Sequence, residues 1–331
     1  MPSNNGRLAG LDALRGVAAL CVIFQHAAQF TVERTALYSP VLDLINLGRF
    51  GVILFFLISG FVIPPSLGRV GLSRFAVNRA FWLLPVLWVS VLGLSIHFAV
   101  LGADLSMLDV LANMTMTAWP MGRFQLSIGY WTLSVELGFY LLAVLLFATG
   151  QLRNFRLVCG SGIVMALVGA LINWEVPVLY GYLLAGMAVR QVYDGDRTSL
   201  AWLVALLGTL LFADLQLARH APSAGFLQPL SLATGMILPI PIFLFVAFRR
   251  PATSNVLVWF GTISYPLYLL QDLALYGLLP VNNVFAEVYP VGVFAVTIAM
   301  AALVHRYVEE PAQGFGRTLA RRQPRHENIL T

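Results

Sequence analysis

FGVILFFLISGFVIPPS, the stretch from Phe50 to Ser66, carries no charged side chain. As a helix rising about 1.5 Å per residue it covers most of a hydrocarbon core roughly 30 Å thick. Comparable apolar runs recur along the 331-residue chain, in which 59% of residues are hydrophobic and 11% charged. A soluble domain carries about 25% charged residues, so a chain this poor in charge could not cover a water-facing surface. The mean hydropathy of +0.81 agrees. The pattern predicts an all-α integral membrane protein and excludes a soluble globular fold.

Ten spans are predicted: Leu11 to Phe30, Phe50 to Ser66, Phe75 to Val100, Trp131 to Thr149, Phe155 to Ile172, Val176 to Tyr193, Leu200 to Leu217, Leu230 to Phe248, Val256 to Leu279 and Val291 to Val308. An even count places both termini on one side. Cytoplasmic loops carry the basic excess, and the arginines alternate as ten spans require. Arg7, Arg69, Arg74, Arg153, Arg156, Arg190, Arg197, Arg249, Arg250, Arg317, Arg321, Arg322 and Arg325 fall on one side, against Arg34, Arg49, Arg123 and Arg219 on the other. Both termini are therefore expected in the cytoplasm. Residues 1–10 form a short leading segment, 11–311 a single membrane domain, and 312–331 a basic tail expected to be a frayed end.

Within the long connection from Leu101 to Tyr130, the portion Leu105 to Thr117 is too short and polar to span. It is expected to form a re-entrant or interfacial helix. Pro85, Pro239, Pro241 and Pro266 fall inside spans, where neighbouring helices can satisfy the freed carbonyls. Cys21 and Cys159 sit in separate apolar runs without zinc or disulfide spacing, and no metal site is expected. Every basic side chain apart from histidine is arginine. In a membrane chain this bias reports topology and contact with anionic lipid headgroups, with no nucleic-acid partner expected. The first run contains Asp12, Arg15 and His26 and no convincing cleavage site, so it is expected to stay in the mature protein.

An ionisable group within a span is costly and marks a function by default. Arg15 and His26 are eleven residues apart, close to three helical turns, so they share a face about 16 Å apart along the axis. Asp12, three residues before Arg15, can pair with it locally, in a role limited to holding the guanidinium in place. His26 lies late in a span leaving for the outer face, and Glu136 lies early in a span entering from it. A carboxylate beside an imidazole fixes its tautomer and raises its basicity, as a general base acting on a hydroxyl requires. The plainer alternatives are a packed histidine and a Glu136 that bonds a neighbouring tyrosine or arginine. At the inner end, Arg69, Arg74, Arg79 and Arg15 form a second cluster suited to the phosphates of a nucleotide thioester. Topological bias alone accounts for Arg69 and Arg74, whereas Arg79 lies inside a span and needs a further reason.

These residues carry a resemblance. Leu11-Asp12-Ala13-Leu14-Arg15-Gly16 followed by His26 resembles the arginine-to-histidine signature of acyltransferase family 3. Gly51 to Phe61 is similar to that family's Phe-Phe-x-x-Ser-Gly-Phe segment, and Arg74 through Arg79 to Pro85 to its arginine-rich third helix. Tyr130 to Glu136 resembles its tryptophan-to-glutamate motif, Ile263 to Leu269 its penultimate-helix motif, and Glu309-Glu310-Pro311 its closing acidic-proline element. The resemblance implies a ten-helix O-acyltransferase of the bacterial inner membrane. It would transfer an acyl group, expected to be acetyl, from acyl-CoA to a hydroxyl of a cell-surface glycan, a lipid-linked saccharide or a small glycosylated metabolite, beside other proteins of polysaccharide assembly. It assigns His26 and Glu136 to catalysis, Arg15, Arg69, Arg74 and Arg79 to the donor, and Gln271 and Tyr268 to the acceptor. One departure is visible: members often carry histidine after the Leu-Tyr-Leu segment, where this chain has Leu270-Gln271-Asp272. On physics alone, a transporter or flippase of lipid-linked sugar fits the same buried charges; a silent membrane sensor fits less well.

Overall fold

The computed structural model describes residues 5–29, 39–196, 200–221, 229–249, 251–277 and 289–323. Arg34, Arg197, Arg250 and Arg325, used above to orient the spans, lie outside these residues, as do parts of the 1–10 and 312–331 segments. The helices in chain order are α1 (Asn5–Gln29), α2 (Ser39–Leu44), α3 (Leu47–Val70), α4 (Leu72–Val100), α5 (Met107–Met114), α6 (Tyr130–Ala148), α7 (Phe155–Ile172), α8 (Glu175–Tyr193) and α9 (Leu200–Arg219). They continue with α10 (Pro229–Ile237), α11 (Pro239–Arg249), α12 (Asn255–Thr262), α13 (Ser264–Gly277) and α14 (Tyr289–Val304). A π turn (His305–Glu309) then leads into α15 (Glu310–Arg322). Among the described residues all regular structure is helical.

Among the described residues eight helical segments are long and apolar enough to cross a membrane, with α10–α11 and α14–α15 each forming one segment. Large apolar side chains such as Leu141, Val164, Leu171, Val204, Phe245 and Val291 point outward from them. That surface is a liability in water and what a lipid surround requires. Two predicted spans differ from the eight. Val176 to Tyr193 lies in α8, a core helix whose Val178, Leu179, Tyr182, Leu183, Ala185 and Ala188 are fully buried in protein. Val256 to Leu279 is split at Ile263 into α12 and α13, and its last two residues lie outside the described ones. Pro266 sits in the first turn of α13 and has no N–H to donate to the Thr262 carbonyl one turn back, which favours ending α12 there. Pro239 has the same effect at Leu238, between α10 and α11.

The chain forms two compact units, Met1–Pro65 with Leu145–Ser264, and Ser66–Val144 with Tyr265–Thr331. In the first, α7, α8 and α9 pack together, α1 packs on α12 and α11, and α10 joins α9 to α2. Backbones touch where glycines permit. A Cβ on Gly60 would stand 1.9 Å from the Leu183 carbonyl oxygen, and one on Gly186 would stand 2.2 Å from that of Leu57. Association inside a membrane, where no hydrophobic effect separates helix from lipid, relies on this kind of small-residue approach. The Tyr182 hydroxyl donates to the buried Asp214 of α9 and lies 3.0 Å from the Met236 carbonyl of α10, tying three helices together.

In the second unit, α4 packs against α5, the π turn and α15. Gly71 joins α3 to α4 with φ 77°, a left-handed conformation that glycine adopts without strain. The helix expected within Leu105 to Thr117 is α5. Its eight residues are too few to cross, and it exposes Met107, Leu108 and Leu111. Ser106 and Asp109 cap it reciprocally, the Asp109 N–H donating to Ser106 Oγ at 3.1 Å. The tail corrects the reading of a frayed end: residues 310–322 are helical. α15 buries Gly316 and Ala320, Phe81 of α4 packs against Gly316 and Phe315, and Arg317, Arg321 and Arg322 remain exposed. Pro311, the expected end of the membrane domain, occupies the first turn of α15, a position proline favours.

Candidate functional site

Asp12, Arg15 and His26 belong to the first unit. α1 buries Leu11, Ala13, Leu14, Ala18, Ala19, Val22 and Ile23, leaving Asp12, Arg15 and His26 half-buried on one stripe. Asp12 lies in the field of the Arg15 guanidinium. The glycine after Arg15 has a packing role: a Cβ on Gly16 would come 2.6 Å from the Leu257 carbonyl oxygen, and one on Gly261 would come 1.9 Å from that of Asp12. α1 and α12 therefore touch backbone to backbone beside Arg15, which fixes the depth and rotation of the stripe. At the other end of α1, Gln25 Oε1 accepts the Leu47 N–H at 3.0 Å, pinning the turn that carries His26 to the start of α3.

Arg69, Arg74, Arg79, Glu136, Tyr268 and Gln271 belong to the second unit. Arg69 is exposed at the end of α3. Arg74 donates from an Nη to the Gln323 carbonyl at 2.8 Å, closing the C-terminus of α15. Arg79 receives the reason its depth demanded. Its guanidinium carbon lies 5.5 Å from the Phe75 ring centre, 5.4 Å from Trp82 and 5.5 Å from Tyr140. Cation–π contacts are worth about 0.5–2 kcal/mol each, against several kcal/mol for taking a charge out of water. The cage thus offsets part of that cost and leaves Arg79 with a demand for an anion. Among the described residues Arg79 forms no ion pair.

The Tyr140 hydroxyl donates to Glu136 Oε1. Arg79 and Glu136, read from sequence as opposite ends of a constellation, are therefore connected inside one unit through a single tyrosine. Tyr265 extends the cluster. It stacks on Trp82 with ring centres 5.1 Å apart, donates to the Leu83 carbonyl at 2.9 Å, and lies within electrostatic range of Glu136 and Glu309. The sequence offered a neighbouring tyrosine as a partner of Glu136 without naming it; Tyr140, at i,i+4, is that tyrosine. Sequence reasoning named Glu309 only within the closing acidic-proline element and passed over His305, four residues earlier on the π turn. His305 Nδ1 lies 2.7 Å from Glu309 Oε2, and Gln313 donates to the other oxygen at 3.0 Å. Single π turns recur at functional sites.

Tyr268 and Gln271 lie on α13, both buried. The Tyr268 hydroxyl donates to the Gly129 carbonyl at 3.0 Å and lies 2.7 Å from Thr132 Oγ1. Asp272, fully buried, accepts the Ile128 N–H at 2.9 Å. Together they hold the start of α6, the helix that carries Trp131 and Glu136. No local pattern reveals this clamp, since it joins residues more than 130 positions apart. Gln271 donates to the Tyr268 carbonyl at 3.0 Å, and its buried Oε1 has no partner among the described residues.

His26 and Glu136 fall in different units. No curated protein and no solved structure matches the chain. The family profile described as an acyltransferase domain matches residues 8–305, from the first turns of α1 to the π turn. With eight membrane-length helices among the described residues and a match over nearly all of its length, the chain belongs to acyltransferase family 3 and is a multi-pass membrane acyltransferase.

Proposed function

We propose that this acyltransferase takes its acyl group, an acetyl, from acyl-CoA on the cytoplasmic side of the bacterial inner membrane and passes it to a hydroxyl of a cell-surface glycan. Ten spans with both termini cytoplasmic complete the reading. The observation that carries the donor side is Arg79, a guanidinium held among three aromatic rings with its N–H groups uncommitted to any described carboxylate. A phosphate of the donor supplies the anion it lacks, with Arg69 and Arg74 nearer the helix ends and Arg15 at the pantetheine or thioester region. Charge-assisted arginine–phosphate contacts are roughly twice as strong as neutral hydrogen bonds.

His26, oriented by Glu136, removes the proton from the acceptor hydroxyl or relays the acyl group; in the direct route it acts as the base. The hydroxyl oxygen attacks the thioester carbonyl carbon, the C–S bond breaks as the ester C–O bond forms, and the proton passes from the imidazole to the departing CoA sulfur. The half-buried stripe of α1 supports this reading, because it holds a cation and an imidazole at two depths of one helix. Gln271, whose buried oxygen has no partner among the described residues, can accept a hydrogen bond from the acceptor. The interruptions at Leu238 and Ile263 favour the competing transport reading, since broken helices line substrate paths in transporters. Purified protein in nanodiscs, given acetyl-labelled CoA and envelope glycan, separates the two. Label entering the glycan supports transfer, and glycan crossing the bilayer unmodified overturns it.

A further inference from the structure

A cavity of about 220 Å³ opens in the first unit, away from α1's ionisable stripe, lined by Arg49, Asn173, Glu175, Leu217, His220 and Met236, among others. These residues come from the start of α3, the α7–α8 junction, the end of α9 and α10. All the polar ones sit at helix ends, the level at which a membrane protein meets water and headgroups. Arg49 and Glu175 form an ion pair of 2.6 Å on its wall, each about one-quarter exposed. A pair so placed adds little stability, and its charges cancel locally. Asn173 holds a left-handed turn at φ 53° at the end of α7. His220 Nδ1 lies 2.8 Å from the Gln216 carbonyl. Because a carbonyl can only accept, Nδ1 is the protonated nitrogen, and in the neutral ring Nε2 keeps its lone pair.

We infer that this cavity binds one sugar ring of a glycan. A guanidinium, a carboxylate, a primary amide and an imidazole acceptor together offer donors and acceptors for several hydroxyls without a net charge. Local neutrality disfavours a phosphate or sulfate as the principal ligand. Leu217, Leu232 and Met236 supply an apolar floor for the C–H face of a ring. Trp174, between two lining residues in sequence, is half-exposed at the same junction. The volume is below the roughly 300–1,000 Å³ of sites for drug-sized ligands, in keeping with a single ring.

The cavity is tied to the His26 end of α1. Gln25 holds Leu47, Asn46 Oδ1 accepts the Arg49 N–H at 2.9 Å, and the Asn46 N–H donates to the Ser231 carbonyl of α10 at 2.8 Å. The proposal rests on the reading of the acceptor as a glycan and deepens it: the cavity grips one ring of the chain whose hydroxyl is acylated elsewhere.

Two variants test it without disturbing the helices. Asn173→Gly removes the amide but keeps the left-handed turn, and His220→Ala alters an exposed helix end. Binding of fluorescent oligosaccharides released from envelope polysaccharide is measured on nanodisc-embedded protein, with and without phosphatidylethanolamine. Each variant weakens binding about tenfold, the loss of roughly one hydrogen bond, with unfolding temperature unchanged. Unaltered binding in both variants, no oligosaccharide binding by the parent protein, or binding abolished by phosphatidylethanolamine would each overturn the proposal, the last by marking a lipid-headgroup site. Transfer assays run in parallel keep the two readings apart. A parent protein that binds the sugar but transfers no acyl group sinks the acyl-transfer reading alone. Transfer with an unchanged acceptor KM in both variants sinks the cavity alone.

Discussion

His26 and Arg79 stand for two ways in which an ionisable group is kept inside a membrane helix. His26 shares a half-buried stripe with Arg15 and Asp12, whereas Arg79 is lodged among aromatic faces. General-base help contributes about 10²–10⁴-fold, so His26→Ala is expected to lower kcat by that range while membrane insertion, followed by fractionation and size-exclusion profile, is unchanged. Full activity in that variant would remove the base. Arg79→Lys keeps the charge but loses the planar group that stacks on rings and grips phosphate in a fork. It is expected to raise the KM for acetyl-CoA at least several-fold and leave the acceptor KM alone. A rise confined to the acceptor would move Arg79 out of the donor site.

Helix packing in the first unit depends on glycines whose absent Cβ lets backbones meet. Gly261→Ala would push a methyl to 1.9 Å from the Asp12 carbonyl oxygen. Backbone cannot yield as a flexible side chain does, and overpacking costs about 1–3 kcal/mol or more. The variant is expected to unfold several degrees earlier in detergent and to lose activity with it; an unchanged melting curve would mean that α1 and α12 are less closely apposed. In the second unit, hydrogen bonds from Ser106 hold the Asp109 carboxyl below the usual carboxylate range. A lowered value in the folded state means that the cap contributes above the ordinary carboxylate pKa and is lost as pH falls through the lowered one. Protection factors of the α5 amides, which remove the intrinsic pH dependence of exchange, should therefore stay constant from neutral to mildly acidic pH in the parent and be lower in Asp109→Asn. Equal protection in the two would show that the cap does not hold the helix.

At the scale of the whole molecule, orientation is the property that decides which side supplies acyl-CoA. With Cys21 and Cys159 replaced by serine, a cysteine at Arg153 is expected to react with an impermeant maleimide only from the cytoplasm, and one at Ala221 only from the opposite side. Labelling of both from one side would break the alternation on which the ten-span reading stands. The result also bears on the cavity beside His220, which a surface glycan reaches only from the outer face.

Composition and local period were sufficient for the helical membrane class and for the common face of Arg15 and His26, because hydropathy and a 3.6-residue repeat act within one segment. The Tyr140–Glu136 bond was legible in the same way, at i,i+4, and its significance was not. What required tertiary structure is the set of contacts between segments far apart in the chain. Only packing against Phe81 made a helix of the tail, only α13 against residues 128–132 fixed the start of α6, and only four helix ends meeting in one unit formed the cavity around Arg49 and Glu175. A local period specifies which face of a helix is apolar or polar; the partner of that face is set by volume and hydrogen bonding across the fold, which no single segment carries.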